Sequence, residues 1–185
     1  IGLMLSICAI GMTAVNTERD DKALQTLTSL NIANDATVIV VEPVDNRYVK
    51  ALMSYLNHHG SMIVIQSTLA GSKLNLVEPR LHGLQSVRLV KENSLSPTQS
   101  LPPADWIIID RVFHRWVLHS ESEMALKKWS QRLKPTGHML MIDYRSDPQR
   151  PDNNRGSFGY LSERLAIEKA AQAGLELQTA SEVNA

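Results

Sequence analysis

"ATVIVVEPVDNRYVKAL", residues 36–52, changes its period in the middle. Ala36 to Val41 is an unbroken apolar run rich in β-branched residues, the composition of a short strand buried on both faces. From Val49 the apolar positions become Val49, Leu52, Met53 and Leu56, at i, i+3, i+4 and i+7, which is one face of a helix that stops at Gly60. The turn between them is Glu42, Pro43, Val44, Asp45 and Asn46, without a glycine. A buried strand that feeds a helix is the first half of a βαβ unit.

Outward from this stretch the same alternation returns. "SMIVIQ" (61–66), "SVRLV" (86–90), "ADWIIID" (104–110), "HMLMIDY" (138–144) and "LELQTASEV" (175–183) read as strands. Asp20-Asp21 can cap a helix carrying Leu24, Leu27 and Leu30. Ser120 opens another through a capping box, Ser120-x-x-Glu123, with Lys127, Lys128, Arg132 and Lys134 towards its end, Pro135 to stop it and Gly137 to turn the chain. A last helix runs from about Ser162 to Gly174, and 96–103 and 145–159 are loops. The pattern predicts an α/β fold: a mostly parallel central sheet with helices on both faces, ordered 3-2-1-4-5 with the last strand beside or beyond the fifth, and "ATVIVV" central beside "ADWIIID". In such sheets ligands lie beyond the carboxyl ends of the strands. That singles out residues 42–47, 66–68, 110–116 and 143–147.

Composition narrows the partners. The 185 residues carry 19 Lys+Arg against 19 Asp+Glu, so no basic field exists for nucleic acid or anionic lipid. "IGLMLSICAIGMTAV" (1–15) has no charge, is short for a membrane span of roughly 20 residues, and reads as the apolar part of a secretory signal with Ala9-Ile10-Gly11 as a small-x-small cleavage site. The boundaries drawn are therefore 1–17 for an apolar or signal segment and 18–185 for the domain, with export to the periplasm expected and a cytoplasmic protein, its first segment a core helix, as the alternative. Ile7 stands where lipoprotein acylation of Cys8 would want a small residue. His82, His119 and His138 lack ligand-spaced partners, and His58 and His59 suit a helix end, so no metal is expected. No Gly-x-Ser-x-Gly elbow is present.

Among the residues beyond the strand ends, His114 can orient a substrate or act as a base, with Arg111 beside it and Trp116 as a substrate contact. Asp110 either contacts ligand or caps its turn. Asp143 and Arg145 contact substrate or form an ion pair with each other, and Tyr160 is a lid residue or a staple for the last helix.

"RLKPTGHMLMIDYRS" (132–146) resembles the helix, turn and strand late in class I S-adenosylmethionine-dependent methyltransferases, and "ADWIIIDRVFHRW" (104–116) looks like their fourth strand and its loop. With Arg111-Val112-Phe113-His114 and Ser181-Glu182-Val183-Asn184-Ala185, the chain from about Lys22 onward is similar to a family of exported bacterial predicted methyltransferases. The resemblance implies a three-layer Rossmann-like methyltransferase fold; its usual seventh strand is not visible up to Ala185, so the domain 18–185 is expected to be truncated at its C-terminus. It also implies S-adenosylmethionine as cofactor and an unknown small-molecule substrate. Glu42, Pro43, Val44, Asp45, Asn46, Gln66 and Asp110 then become the cofactor-binding positions, His114 and Arg111 the catalytic ones, and Trp116, Asp143 and Arg145 the substrate contacts. The family's first loop, roughly glutamate-x-tryptophan-proline-glycine-glycine-glycine-tryptophan-tyrosine, keeps Pro43 and Tyr48. Its three glycines are Val44, Asp45 and Asn46, and its glutamate is Val40. Glycines let backbone approach a cofactor closely; the replacements are expected to narrow that approach, and Asp45 to repel the methionine carboxylate. The alternative function is a binding or scaffold protein on the same fold without cofactor.

Overall fold

The alternation of buried runs and helices closes into one sheet in the computed structural model, which describes residues 2–8, 16–56, 59–66, 87–91, 101–146 and 160–181. The strands are β1 (Gly2–Cys8), β2 (Thr37–Val41), β3 (Ser61–Gln66), β4 (Val87–Lys91), β5 (Ala104–Asp110), β6 (Leu133–Arg145), β7 (Tyr160–Leu161) and β8 (Glu176–Ser181). The helices between them are α1 (Asn16–Ser29), α2 (Arg47–Leu56), α3 (Phe113–Leu118), α4 (Ser122–Ser130) and α5 (Glu163–Gln172). The sheet order is β4-β3-β2-β5-β6-β1-β8, with β7 on the end of β6. All pairs are parallel. "ATVIVV" lies beside "ADWIIID", Val38 to Val41 facing Trp106 to Ile109 in register.

The two-residue period of the strands divides the core. Ile39, Val41, Ile63, Ile65, Ile107, Ile109, Met139 and Met141 point to the face covered by α3, α4 and α5. Val38, Val40, Met62, Val64, Trp106, Ile108, Leu140 and Ile142 point to the other, under α1 and α2. Tyr48, Val49, Leu52 and Leu56 of α2 are buried there, so the apolar stripe that identifies the helix is also what docks it.

Several elements differ from the sequence reading. The segment 1–17, set apart from the domain by sequence, contributes a strand: β1 runs parallel between β6 and β8 in the position next to the last strand. Helix α1 starts at Asn16, ahead of Asp20-Asp21. The capping box at Ser120 does not form, because Ser120 is in the left-handed region (φ 59) and α4 starts at Ser122 without a side-chain cap. Pro135 and Gly137 lie within β6 rather than in a turn. Ala104 pairs with Leu133, its N–H donates to Arg132 O at 2.8 Å, and the register slips before Trp106 to absorb the difference. The six residues of α3 are too short a span for a helical period to be read. At the other extreme, the Ser162 hydroxyl accepts from Leu165 N–H at 3.1 Å and starts α5, and Gly174 (φ 79) ends it.

Among the described residues no helix is long and apolar enough to cross a membrane. The cleavage motif at 9–11, most of the loop expected at 145–159, His58, His82 and the closing residues 182–185 lie outside the described residues.

Candidate functional site at the carboxyl edge

β2, β5 and β6 end together at one edge, where Glu42 follows β2, and Asp110 and Arg145 end β5 and β6. Beyond β2 the chain turns at Glu42, whose φ of 44° is left-handed backbone on a non-glycine residue; beyond β5, Arg111 does the same at 54°. Such conformations cost on the order of 1 kcal/mol or more apiece and persist where surroundings hold them. At both positions the surroundings do so. Glu42 N–H donates to Ile65 O at 2.9 Å and Arg111 N–H to Ile142 O at 2.7 Å.

Arg111 is the hub. Its side chain is 9 % exposed, and Nε and Nη2 donate to the two oxygens of fully buried Asp110 at 2.8 and 3.1 Å. Nη2 also meets Asp45 Oδ2 at 2.7 Å, and Nη1 the Tyr144 hydroxyl at 3.4 Å. Burial opposes the charge on Arg111, yet Asp110 and Asp45 hold its pKa above the ordinary value. Burial pushes the Asp110 carboxyl up while the same guanidinium draws it down. The bidentate geometry marks the two as an ion pair.

Asp45 occupies the turn before α2. Its Oδ1 accepts from Arg47 N–H at 3.0 Å and its Oδ2 from Arg47 Nε at 2.8 Å. Burial alone would raise its pKa, but the charge and hydrogen bond of Arg111, followed by Arg47, bring it below the ordinary carboxylate value. The repulsive charge expected here is thus already matched by two arginines. The strand–turn–helix geometry persists without glycines: Asn46 O accepts from Lys50 N–H at 2.8 Å, Pro43 is buried, and Val44 is exposed. Glu42 is buried and pairs through Oε2 with Arg115 Nη2 at 2.5 Å, while Glu42 Oε1 and Asn46 Oδ1 are buried with no hydrogen-bond partner.

His114 opens α3. Its backbone N–H donates to Asp143 Oδ2 at 2.8 Å and its ring Nδ1 lies 2.8 Å from Asp143 Oδ1. Asp143 is 2 % exposed, and Oδ1 also accepts from Tyr144 N–H at 2.9 Å. A carboxylate so placed fixes the tautomer with the proton on Nδ1, which presents Nε2 as the basic atom. The ring, 20 % exposed, keeps access to solvent.

Two expected substrate contacts lie elsewhere. Trp116 is 2 % exposed and packs edge-on to Phe113 at 6.3 Å, because Phe113, Trp116 and Val117 share the inward face of α3. Arg145 does not pair with Asp143, whose oxygens are committed to His114 and Tyr144; its Nη2 meets Glu163 Oε2 on α5 at 3.2 Å. Gln66 ends β3, one strand over from β2. Tyr160 is exposed on β7, its ring 6.2 Å from that of Tyr144. Arg47, Arg115 and Tyr144 belong to the site; they fall inside the stretches singled out by sequence but were given no role of their own there. Arg115 sits one residue after His114, which was the available signal. Among the described residues no group of three or more His, Cys, Asp or Glu side chains is arranged to hold a metal ion.

No protein-family model matches the chain, and no curated protein matches it in sequence. Solved structures match it in fold. A SAM-dependent methyltransferase from Aquifex aeolicus superposes with a TM-score of 0.64 at 18 % identity, over 82 % of this chain and 78 % of that one. The mitomycin 7-O-methyltransferase MmcR gives 0.63 at 16 %, over 86 % and 49 %. The O-methyltransferase NcsB1 of neocarzinostatin biosynthesis, solved with S-adenosyl-L-homocysteine and 1,4-dihydroxy-2-naphthoic acid, gives 0.57 at 19 %, over 86 % and 52 %. The chain therefore spans about half the length of the last two. It has the fold of the SAM-dependent methyltransferases.

Proposed function

We propose that this chain is a methyltransferase domain that uses S-adenosylmethionine and acts on a small molecule with an ionisable O–H or N–H. The observation that carries the reading is the His114–Asp143 pair at the carboxyl edge of β5 and β6. Asp143 holds the imidazole by ring and backbone and leaves Nε2 to take a proton from an incoming nucleophile.

The residues present fit the cofactor's amino-acid end. Glu42 Oε1 is a buried carboxylate oxygen without a donor, which suits an ammonium group, and Arg111 is a guanidinium suited to a carboxylate. Gln66, at the end of the neighbouring strand, is the candidate for the ribose hydroxyls. When bound, the cofactor supplies an electrophilic methyl group on a sulfonium. The chain's contribution is to hold the nucleophile in line, to receive its proton at His114, and to stabilise the imidazolium through Asp143. Trp116 supports α3 beneath this histidine and does not touch substrate in this reading.

We read Gly2–Cys8 as part of the domain rather than a removable leader, because β6 and β8 meet only through it. If the chain is exported, β1 travels with it. Sequencing the N-terminus of the recovered protein tests this, and a start near Met12 overturns it.

The function is tested by calorimetric titration with S-adenosylmethionine, followed by methyl-transfer assays over phenolic and amine substrates. Binding is expected. His114→Ala should lower turnover about 10²- to 10⁴-fold while leaving cofactor affinity unchanged. A protein that binds no nucleoside at any concentration would instead be the scaffold.

A further inference from the structure

We propose that Arg111 is the receptor for the carboxylate at the ligand's amino-acid end, and that Asp45 is an internal competitor which holds this receptor until a ligand displaces it. The inference rests on the cofactor reading above. It turns on how the guanidinium is shared. Its Nε–Nη2 edge is taken by Asp110, which is fully buried and has nowhere else to go. The Nη1–Nη2 edge meets one oxygen of Asp45 at 2.7 Å and the Tyr144 hydroxyl at 3.4 Å, so a full carboxylate is not yet seated on it.

Asp45 is the partner that can leave. Its side chain is 38 % exposed, on the glycine-free turn, and Arg47 holds both its oxygens through the backbone N–H and Nε. Asp45 that swings off Arg111 therefore remains ionised and paired, and the swap exchanges one carboxylate for another on the same guanidinium. Arg111 cannot follow, because Asp110 and its own backbone bond to Ile142 keep it in place. The incoming ammonium has its own acceptor in Glu42 Oε1, three residues from Asp45. Where a glycine-rich turn would offer backbone N–H groups to a carboxylate, this one offers a side-chain cation and a side-chain rival.

The test compares two nucleosides on three proteins. S-Adenosylhomocysteine carries the amino-acid end; 5′-methylthioadenosine keeps the adenosine and thioether and lacks it. Both are titrated into the unaltered chain, Asp45→Asn and Asp45→Ala, with circular dichroism to confirm that the exposed turn tolerates each change. S-Adenosylhomocysteine should bind up to about five-fold tighter to both variants, the effect of deleting one partly exposed ion pair. 5′-Methylthioadenosine should be unaffected. Equal tightening for both nucleosides would mean that Asp45 acts by bulk, and no change would mean that it does not compete; either overturns the proposal and leaves the cofactor reading standing. Failure of both nucleosides to bind any of the three proteins overturns the two together.

Discussion

The two edges of the sheet are built from the same strands and solve the same problem differently. At the amino edge the backbone is packed closely and glycines make room. A Cβ on Gly60 would lie 2.6 Å from Ala36 O, and one on Gly137 would lie 2.9 Å from Ala104 O. A half-exposed pair lies there, Lys134 Nζ to Asp105 Oδ2 at 2.8 Å, beside the Thr37 N–H. At the carboxyl edge glycines are absent from the turns after β2 and β5, left-handed backbone is forced on Glu42 and Arg111, and the carboxylates of Asp110 and Asp143 are buried. At the amino edge the left-handed position is Asn31 (φ 50), a residue type that tolerates it, and the charged pair is half-exposed. An edge that puts left-handed backbone on Glu42 and Arg111 and buries its carboxylates is arranged for something other than stability.

The contrast breaks first, if it breaks, at Asp110. Asp110→Ala leaves the Arg111 guanidinium buried with only Asp45 and a long contact to Tyr144. Breaking a buried pair from one side costs about 3–5 kcal/mol, which urea denaturation would read directly. A loss similar to that of Asp105→Ala would show that the two edges do not differ in kind. The amino edge is probed next by Gly60→Ala. The added methyl meets carbonyl oxygens of Asn34 and Ala36 as well as Leu56 Cδ2, and backbone oxygens cannot step aside as a flexible side chain can. Overpacking should cost about 1–3 kcal/mol. A neutral result would mean that this edge is looser than its distances imply.

The fold was legible because burial on both faces leaves an unambiguous mark. "ATVIVV", "SMIVIQ" and "ADWIIID" keep their polar residues at or next to their ends and are buried and apolar between, and their order in the sheet follows from short crossovers. That the run of β1 joins the sheet was not legible for the same reason. An apolar run at a chain's start looks alike whether it serves as signal, core helix or buried strand, and the deciding information is the space between β6 and β8, which no local pattern encodes. At the site, position was legible and partnership was not. His114, Asp143, Arg111, Asp110 and Asp45 follow from the rule that ligands gather past the carboxyl ends of parallel strands. That Asp143 serves His114 rather than Arg145, and that Asp45 pairs with Arg111, depends on contacts between side chains up to 66 residues apart. Trp116 was misplaced because a six-residue helix carries too little periodicity to reveal its inward face.

The smallest expected effect sharpens the comparison most. The pair Lys134–Asp105 has 41 % and 32 % of its side chains exposed, so Lys134→Ala should cost no more than about 1 kcal/mol at neutral pH. Its dependence on pH has a definite sign. Burial alone would raise the Asp105 pKa, but hydrogen bonds from Lys134 and the Thr37 N–H bring it below its ordinary value of 3.8. A carboxylate whose folded pKa is depressed contributes stability that is fully present above the unfolded value and is lost as pH falls through the folded one. The difference between unaltered chain and Lys134→Ala should therefore be constant from neutrality down to the unfolded value of 3.8 and shrink below it. Added salt should shrink it at any pH, since an exposed pair is screened. Thermal melts of the two proteins across that range would show it. A difference that instead grew on acidification, or that ignored salt, would mean that Lys134 acts through its packing along β6, and the amino edge would then owe nothing measurable to charge.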